Sequence, residues 1–201
     1  MPSSTVDIAQ PTEDTGLSPK RWTLDEYHRI IRLGILTAET PTELIHGQIV
    51  EMVPQQPPHA ATTDEGGDYL KALFAGIAKV RVQLPVTLPP DSEPEPDFAI
   101  VKINPNLYRD RHPAPDDIYL IIEVADSTLQ KDRQHKSKLY AQAGIPEYWL
   151  INLQQNQMIV YRQLEEGAYQ AEQILNVRDN INPLAFPNVT VQLRRLLILA
   201  T

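Results

Sequence analysis

The eight residues Ile118–Ala125 read Ile-Tyr-Leu-Ile-Ile-Glu-Val-Ala, and seven of the eight are apolar or aromatic. A run of that length without a helical period forms a strand covered on both faces. Such a strand needs neighbours on both edges and a layer above and below it. The chain must therefore build an α/β or α+β domain around a central sheet. The exception within the run is Glu123. Burying even a neutral polar group without a partner costs about 2–7 kcal/mol, and a carboxylate costs more. Glu123 therefore meets a cation, a metal or a hydrogen-bonding cluster, or else it lies at the strand's exposed end or pairs with a structural arginine.

The flanking sequence supplies the other layers. Thr23 followed by Glu26 is a capping-box pattern, and Tyr27, Ile30, Ile31 and Leu33 give a short amphipathic helix that stops near Gly34. Two β-rich runs around His46-Gly47 predict a hairpin over residues 43–53. Tyr69, Leu70, Leu73, Phe74, Ile77 and Ala78 recur at helical spacing, which predicts a helix over 59–79. Strands are expected at 80–86, 97–101, 118–125 and 147–152, with a helix over 129–143 ending at Gly144. A second hairpin is expected from 158–162 and 168–175, and an apolar segment, 193–199, closes the chain. The order helix, strand, strand, strand, helix, strand gives a mixed β-sheet flanked by helices, with an additional N-terminal hairpin.

With 201 residues, one domain over 21–201 is expected, preceded by a polar, proline-bearing flexible tail at 1–20. The N-terminus lacks the cationic start and apolar core of a secretory signal, and no apolar run approaches the roughly 18–20 residues that span a membrane. A cytoplasmic protein without membrane partners is the expectation. The absence of cysteine excludes disulfides, thiolate zinc sites and cysteine nucleophiles. The net charge of −8 argues against strong nonspecific binding of nucleic acid, though a local basic patch remains compatible with it. No phosphate-binding P-loop, dinucleotide glycine pattern or G-x-S-x-G elbow is present.

Chemistry then falls to a few residues. Asp97 opens a strand just after Glu93-Pro-Glu-Pro96. It is either a solvated strand-end acid or a partner of Glu123, because strands consecutive in sequence usually lie side by side. Two converging carboxylates with waters make an oxygen-rich site for Mg²⁺ or Mn²⁺. Lys136, Leu139, Tyr140 and Ala143 share one helical face, which makes Lys136 the one lysine of that helix on the core-facing stripe. It either reaches into a site or snorkels from the stripe's edge. Lys131, Arg133, Lys136 and Lys138 form the most basic stretch of the chain. Glu43 and Glu51, at the two ends of the hairpin, are candidate third acids or surface charges. His59 is a candidate ligand or general base, or a structural histidine.

Four segments carry a resemblance: Glu43-Leu-Ile-His-Gly-Gln-Ile-Val-Glu-Met52, Pro96-Asp97, Ile122-Glu-Val-Ala-Asp-Ser-Thr128, and Asp132-Arg-Gln-His-Lys-Ser-Lys-Leu-Tyr-Ala-Gln-Ala-Gly-Ile-Pro-Glu-Tyr-Trp149. Through them the chain resembles the Uma-type family of restriction endonucleases, within the PD-(D/E)XK nuclease superfamily, from about Trp22 to Leu196. The resemblance implies a restriction-endonuclease-like fold and a metal-dependent endonuclease that hydrolyses phosphodiester bonds, with DNA as substrate. Asp97 and Glu123 would be the two motif acids and would hold Mg²⁺ or Mn²⁺ together with the backbone carbonyl of Val124. The lysine of the usual E-x-K arrangement is replaced by Ala125. The family's lysine on the next helix matches Lys136, which would orient the attacking water or stabilise the pentavalent oxyanion. Glu43 matches the family's N-terminal acid and His59 a histidine before its long helix. Many nucleases of this superfamily pair to address two strands, so a homodimer is a further expectation. Two other readings remain open: a catalytically silent member that binds nucleic acid or protein, and a hydrolase of small phosphate esters.

Overall fold

In the computed structural model of this protein, the described residues are 18–126 and 135–197. Most of the expected tail at 1–20, and the stretch 127–134 with Lys131 and Arg133, lie outside them.

Helix α1 (Leu24–Arg32) begins with the expected capping box. Thr23 Oγ1 accepts from the Glu26 N–H at 3.3 Å, and Glu26 Oε2 accepts from the Thr23 N–H at 3.0 Å. Its apolar face is narrower than the spacing predicts. Tyr27 is buried and donates to the Thr42 carbonyl at 2.8 Å, whereas Ile31 and Leu33 are exposed, because this short helix rests on the domain by one edge. Strands β1 (Thr42–Ile45) and β2 (Gln48–Glu51) form the predicted hairpin. Its turn residues, His46 at φ +47° and Gly47 at φ +71°, have the left-handed backbone of a type I′ turn.

Helix α2 (Pro57–Leu73) starts and stops earlier than the periodicity predicts. A proline at the first position presets its φ. Past its end Gly76, at φ +78°, turns the chain toward the sheet. Two glycines let this helix lie close to the sheet: a Cβ at Gly66 would sit 3.1 Å from Phe98 Cζ, and one at Gly67 would sit 3.3 Å from Val82 Cγ2. Gly66→Val is therefore expected to destabilise the protein by about 1–3 kcal/mol through overpacking. A urea titration with an unchanged slope and a lower midpoint is the expected outcome.

Strand β3 (Lys79–Val82) is shorter than the predicted 80–86, because Gln83 takes a left-handed backbone, φ +49°, and breaks the ladder. Then follow β4 (Phe98–Val101), β5 (Ile118–Ala125), α3 (Ser137–Gln142), β6 (Tyr148–Asn152), β7 (Gln157–Glu165) and β8 (Ala168–Asn176). These strands form one six-stranded mixed sheet in the order β3-β4-β5-β6-β7-β8. Only the β5–β6 pair is parallel. The long connection between these two carries α3, as a parallel pair requires. Gly144, at φ +83°, ends α3 where expected. A small pair, β9 (Asn180–Ile181) and β10 (Val191–Gln192), completes the chain with a 3₁₀ turn at Leu193–Arg195.

Side chains alternate across the sheet and bury both faces. Phe98, Ile100, Leu120, Ile122, Val124, Trp149 and Ile151 pack with Leu70 and Phe74 of α2 and with Leu193, Leu196 and Leu197. Ala99, Val101, Ile121, Ala125, Tyr148 and Leu150 pack with Leu139 and Tyr140 of α3 and with Val86 and Leu88. The closing segment thus completes the core as far as residue 197. Among the described residues no helix is long and apolar enough to cross a membrane.

Candidate active site

The register of β4 on β5 sets the site. Phe98 pairs with Ile122 in an antiparallel ladder, so the next step outward puts Asp97 opposite Glu123. Both residues then project to the α3 side by alternation. The two acids are 6% and 7% exposed. Backbone groups tie them together: the Val124 N–H donates to Asp97 Oδ2 at 2.8 Å, and the Asp97 N–H lies 3.4 Å from Glu123 Oε2. Gln83 Nε2 donates to Asp97 Oδ1 at 3.2 Å.

The second face of the site comes from α3 and from Lys136, the residue that precedes its first turn. Lys136 Nζ donates to Glu123 Oε1 at 3.0 Å and lies 3.6 Å from Glu43 Oε2. One turn on, the fully buried Tyr140 hydroxyl donates to the same Glu123 oxygen at 2.6 Å. The face-sharing of Lys136 and Tyr140 read from their spacing is thus the face that meets Glu123. The hairpin delivers Glu43 to the far side of Lys136, and Glu43 Oε1 accepts the Glu95 N–H at 2.8 Å. Glu51, at the other end of the hairpin, is exposed and does not join the group. His59, in the first turns of α2, sets its Nε2 3.2 Å from Asp97 Oδ2. Asp97, Glu123, Lys136, Glu43 and His59 therefore converge, although they come from five separate elements of the chain.

The electrostatics follow from burial and like charge. Burial pushes the Glu123 carboxyl up to about 7; Lys136 and the Tyr140 hydrogen bond oppose this, while Asp97 and Glu43 add to it. Burial alone would lower the His59 imidazole, but the hydrogen bond and charge of Asp97, with Glu123 behind it, raise it. Burial, and then the charge on Glu123, hold the Tyr140 phenol well above its ordinary value, so it stays a donor. Glu95 is half-buried and is raised by burial and by its neighbours Glu43 and Glu93. Carboxylates at 93, 95 and 97 stand on alternate residues of an extended segment, with Pro94 and Pro96 between them.

A second polar cluster sits beside this row. Glu93, 5% exposed, accepts from His28 Nε2 at 2.8 Å and from Thr87 Oγ1 at 2.7 Å. It fastens α1 to the proline-rich segment. A half-open pocket of about 220 Å³ is lined by Gln55, Thr63, Asp64, Lys71, Val82 and Gln83. Gln83 touches Asp97, and Thr63 Oγ1 lies 3.4 Å from His59 Nδ1.

The donor set suits a hard divalent cation. Two carboxylates confined together, one of them raised by burial and by the other, create a place where added positive charge is favoured. Among the described residues no group of three or more His, Cys, Asp or Glu side chains is arranged to hold a metal ion. A cation such as Mg²⁺ needs none, because it commonly keeps several waters and takes one or two protein carboxylates.

Three site residues were not singled out by the sequence. Tyr140 carried a signal, its place four residues after Lys136 on the same stripe. Glu95 carried a weaker one, the alternation of acids and prolines before Asp97. Gln83 carried none, because it is brought in by a strand pairing and a left-handed backbone.

No curated protein matches the sequence. The fold is similar to that of a crystal structure described as a "putative nuclease belonging to DUF820" from Anabaena variabilis ATCC 29413. The TM-score is 0.65 at 19% identity, over 87% of this chain and 97% of that one. At that identity the likeness concerns the fold. The Uma2 family, described as "Putative restriction endonuclease", matches residues 24–194, nearly the whole described domain, and the chain belongs to that family.

Proposed function

We propose that this protein is a metal-dependent endonuclease that hydrolyses phosphodiester bonds in DNA. The observation that carries this reading is the convergence of two buried acids, Asp97 and Glu123, with Lys136 at 3.0 Å from the second acid. Asp97, Glu123 and the backbone carbonyl of Val124 would hold Mg²⁺ or Mn²⁺. When bound, the cation supplies Lewis acidity, which makes water a better nucleophile at neutral pH and offsets charge on the phosphate.

The remaining work belongs to the chain. Lys136 lies between Glu123 and Glu43, so its ammonium is held at the mouth of the acid pair, where it orients the attacking water or stabilises the phosphoryl oxyanion. A lysine reaching in from a helix can fill this role although position 125 is alanine, since its long stem lets the charge arrive from another element. His59 and Gln83 hold the two oxygens of Asp97, and Glu43 steadies Lys136.

The test is cleavage of plasmid and single-stranded DNA by the purified chain with Mg²⁺ or Mn²⁺, compared with chelator, and repeated with Asp97→Ala and Lys136→Ala. Metal-dependent cleavage that both substitutions remove supports the nuclease. Equal cleavage by all three proteins sinks the assignment of the site. No cleavage by the parent overturns the nuclease and favours a silent member that binds nucleic acid or protein.

A further inference from the structure

Glu123 uses its two oxygens unequally. Oε1 takes two donors, Lys136 Nζ at 3.0 Å and the Tyr140 hydroxyl at 2.6 Å. Oε2 meets the Asp97 N–H at 3.4 Å, a contact too long to saturate a carboxylate oxygen, and so lies next to the backbone of Asp97. One oxygen is therefore committed to Lys136 and Tyr140, while the other is only weakly engaged, beside the Asp97 backbone.

The two donors on Oε1 are not equivalent. Lys136 also reaches Glu43 Oε2 at 3.6 Å, and its side chain is 18% exposed. A flexible ammonium shared between two carboxylates is a poor device for fixing either one. Tyr140 is fully buried, and its aromatic ring packs on Tyr148 with 5.1 Å between ring centroids. Tyr148 in turn stacks on Tyr161 at 5.4 Å, within the packed face beneath α3. A phenol has two side-chain torsions, and packing on this ladder leaves its hydroxyl little freedom.

We propose that the Tyr140 hydroxyl is a positioning group: it anchors Oε1 of Glu123, so that Oε2 faces Asp97 for the divalent cation and Lys136 is not required to hold the carboxylate while it serves the phosphate. This inference rests on the metal-site reading above. Tyr140 acts through Glu123 and touches neither substrate nor cation. Oriented outer hydrogen bonds of this kind are worth roughly 10–100-fold in metal affinity.

The experiment is calorimetric titration of Mn²⁺ into the metal-free full chain and into Tyr140→Phe, Glu123→Gln and Tyr169→Phe. Tyr169 carries a half-buried hydroxyl on the same side of the sheet, bonded to the Ile145 carbonyl at 2.9 Å, and controls for the loss of a phenol as such. We expect Glu123→Gln to abolish binding, Tyr140→Phe to weaken it about 10-fold or more, and Tyr169→Phe to leave it at the parent value. A purely structural Tyr140 would lower the metal-free melting temperature and leave the affinity of the folded chain unchanged. That result, beside a Glu123→Gln that no longer binds, overturns the role of Tyr140 alone. A parent that binds no Mn²⁺, or a Glu123→Gln that binds as well as the parent, overturns the site and the positioning role with it. Should Tyr140→Phe fail to fold, the parent's tyrosine ultraviolet difference spectrum on adding Mg²⁺ replaces it. A metal-dependent change missing from Glu123→Gln supports the proposal, and an unchanged spectrum in a metal-binding parent overturns it.

Discussion

Glu123→Gln is expected to lower metal-dependent cleavage about a thousandfold, equivalent to about 4 kcal/mol of transition-state stabilisation, while the chain stays folded. The amide has nearly the shape of the carboxyl, and its oxygen can still accept from Tyr140 and Lys136. What it lacks is the charge that a divalent cation needs. A second readout uses the metal-free chain. The folded Glu123 carboxyl titrates near 7, above its ordinary 4.5. Its protonated form is thus favoured in the folded state. Its contribution to stability is fully present below about 4.5 and is lost as pH rises through about 7, an effect on the order of 3 kcal/mol. Urea midpoints of the metal-free parent should fall over that window relative to those of Glu123→Gln. Parallel pH curves for the two proteins would show that Glu123 is not the strained acid.

Glu147→Ala should cause the largest loss of stability. Glu147 is fully buried just before β6 and takes three hydrogen-bond donors and a close ion-pair contact. Trp149 Nε1 donates at 2.8 Å, Arg162 Nε at 2.7 Å and the Leu184 N–H at 2.7 Å, and Arg162 Nη2 closes on the same oxygen as Nε, at 2.5 Å. Removing the carboxylate leaves Arg162 Nε, Trp149 Nε1 and the Leu184 N–H without an acceptor and strips the guanidinium of its counter-charge, although Arg162 Nη2 keeps the Asn182 carbonyl at 2.7 Å. The expected cost is about 3–5 kcal/mol. Glu147→Gln keeps an acceptor in place and should cost less. Chemical denaturation is the measurement, and a loss below about 1 kcal/mol for the alanine variant would falsify this account. The anchor lies away from the acid pair, so any activity lost by the glutamine variant should follow its folded fraction.

Much of the architecture was legible because it is local. A continuous apolar run predicts a strand covered on both faces, and β5 lies inside the sheet between β4 and β6 with both of its faces packed into the core. A turn that demands left-handed backbone predicts His46-Gly47. A capping box predicts where α1 begins. Other local signals misled. The apolar residues of α1 suggest a face in the core, but Ile31 and Leu33 meet solvent. The β-rich run 80–86 suggests one long strand, but Gln83 ends it early.

By itself the sequence determined the order of elements, the mixed sheet and the presence of an acid that had to find a partner inside it. Periodicity and the cost of burying charge act over a few residues, and they are written in the chain. It also placed Lys136 and Tyr140 on one helical face, because 3.6 residues per turn requires it. Only the tertiary structure decided what those residues meet. The register of β4 on β5 sets Asp97 opposite Glu123, and a slip of one residue would turn the acid to the other face. The β3–β4 pairing brings Gln83 to Asp97, α2 brings His59, and the hairpin brings Glu43 to Lys136. Contacts of that kind depend on how separate elements dock, and docking is set by the packing of both sheet faces together rather than by any segment alone.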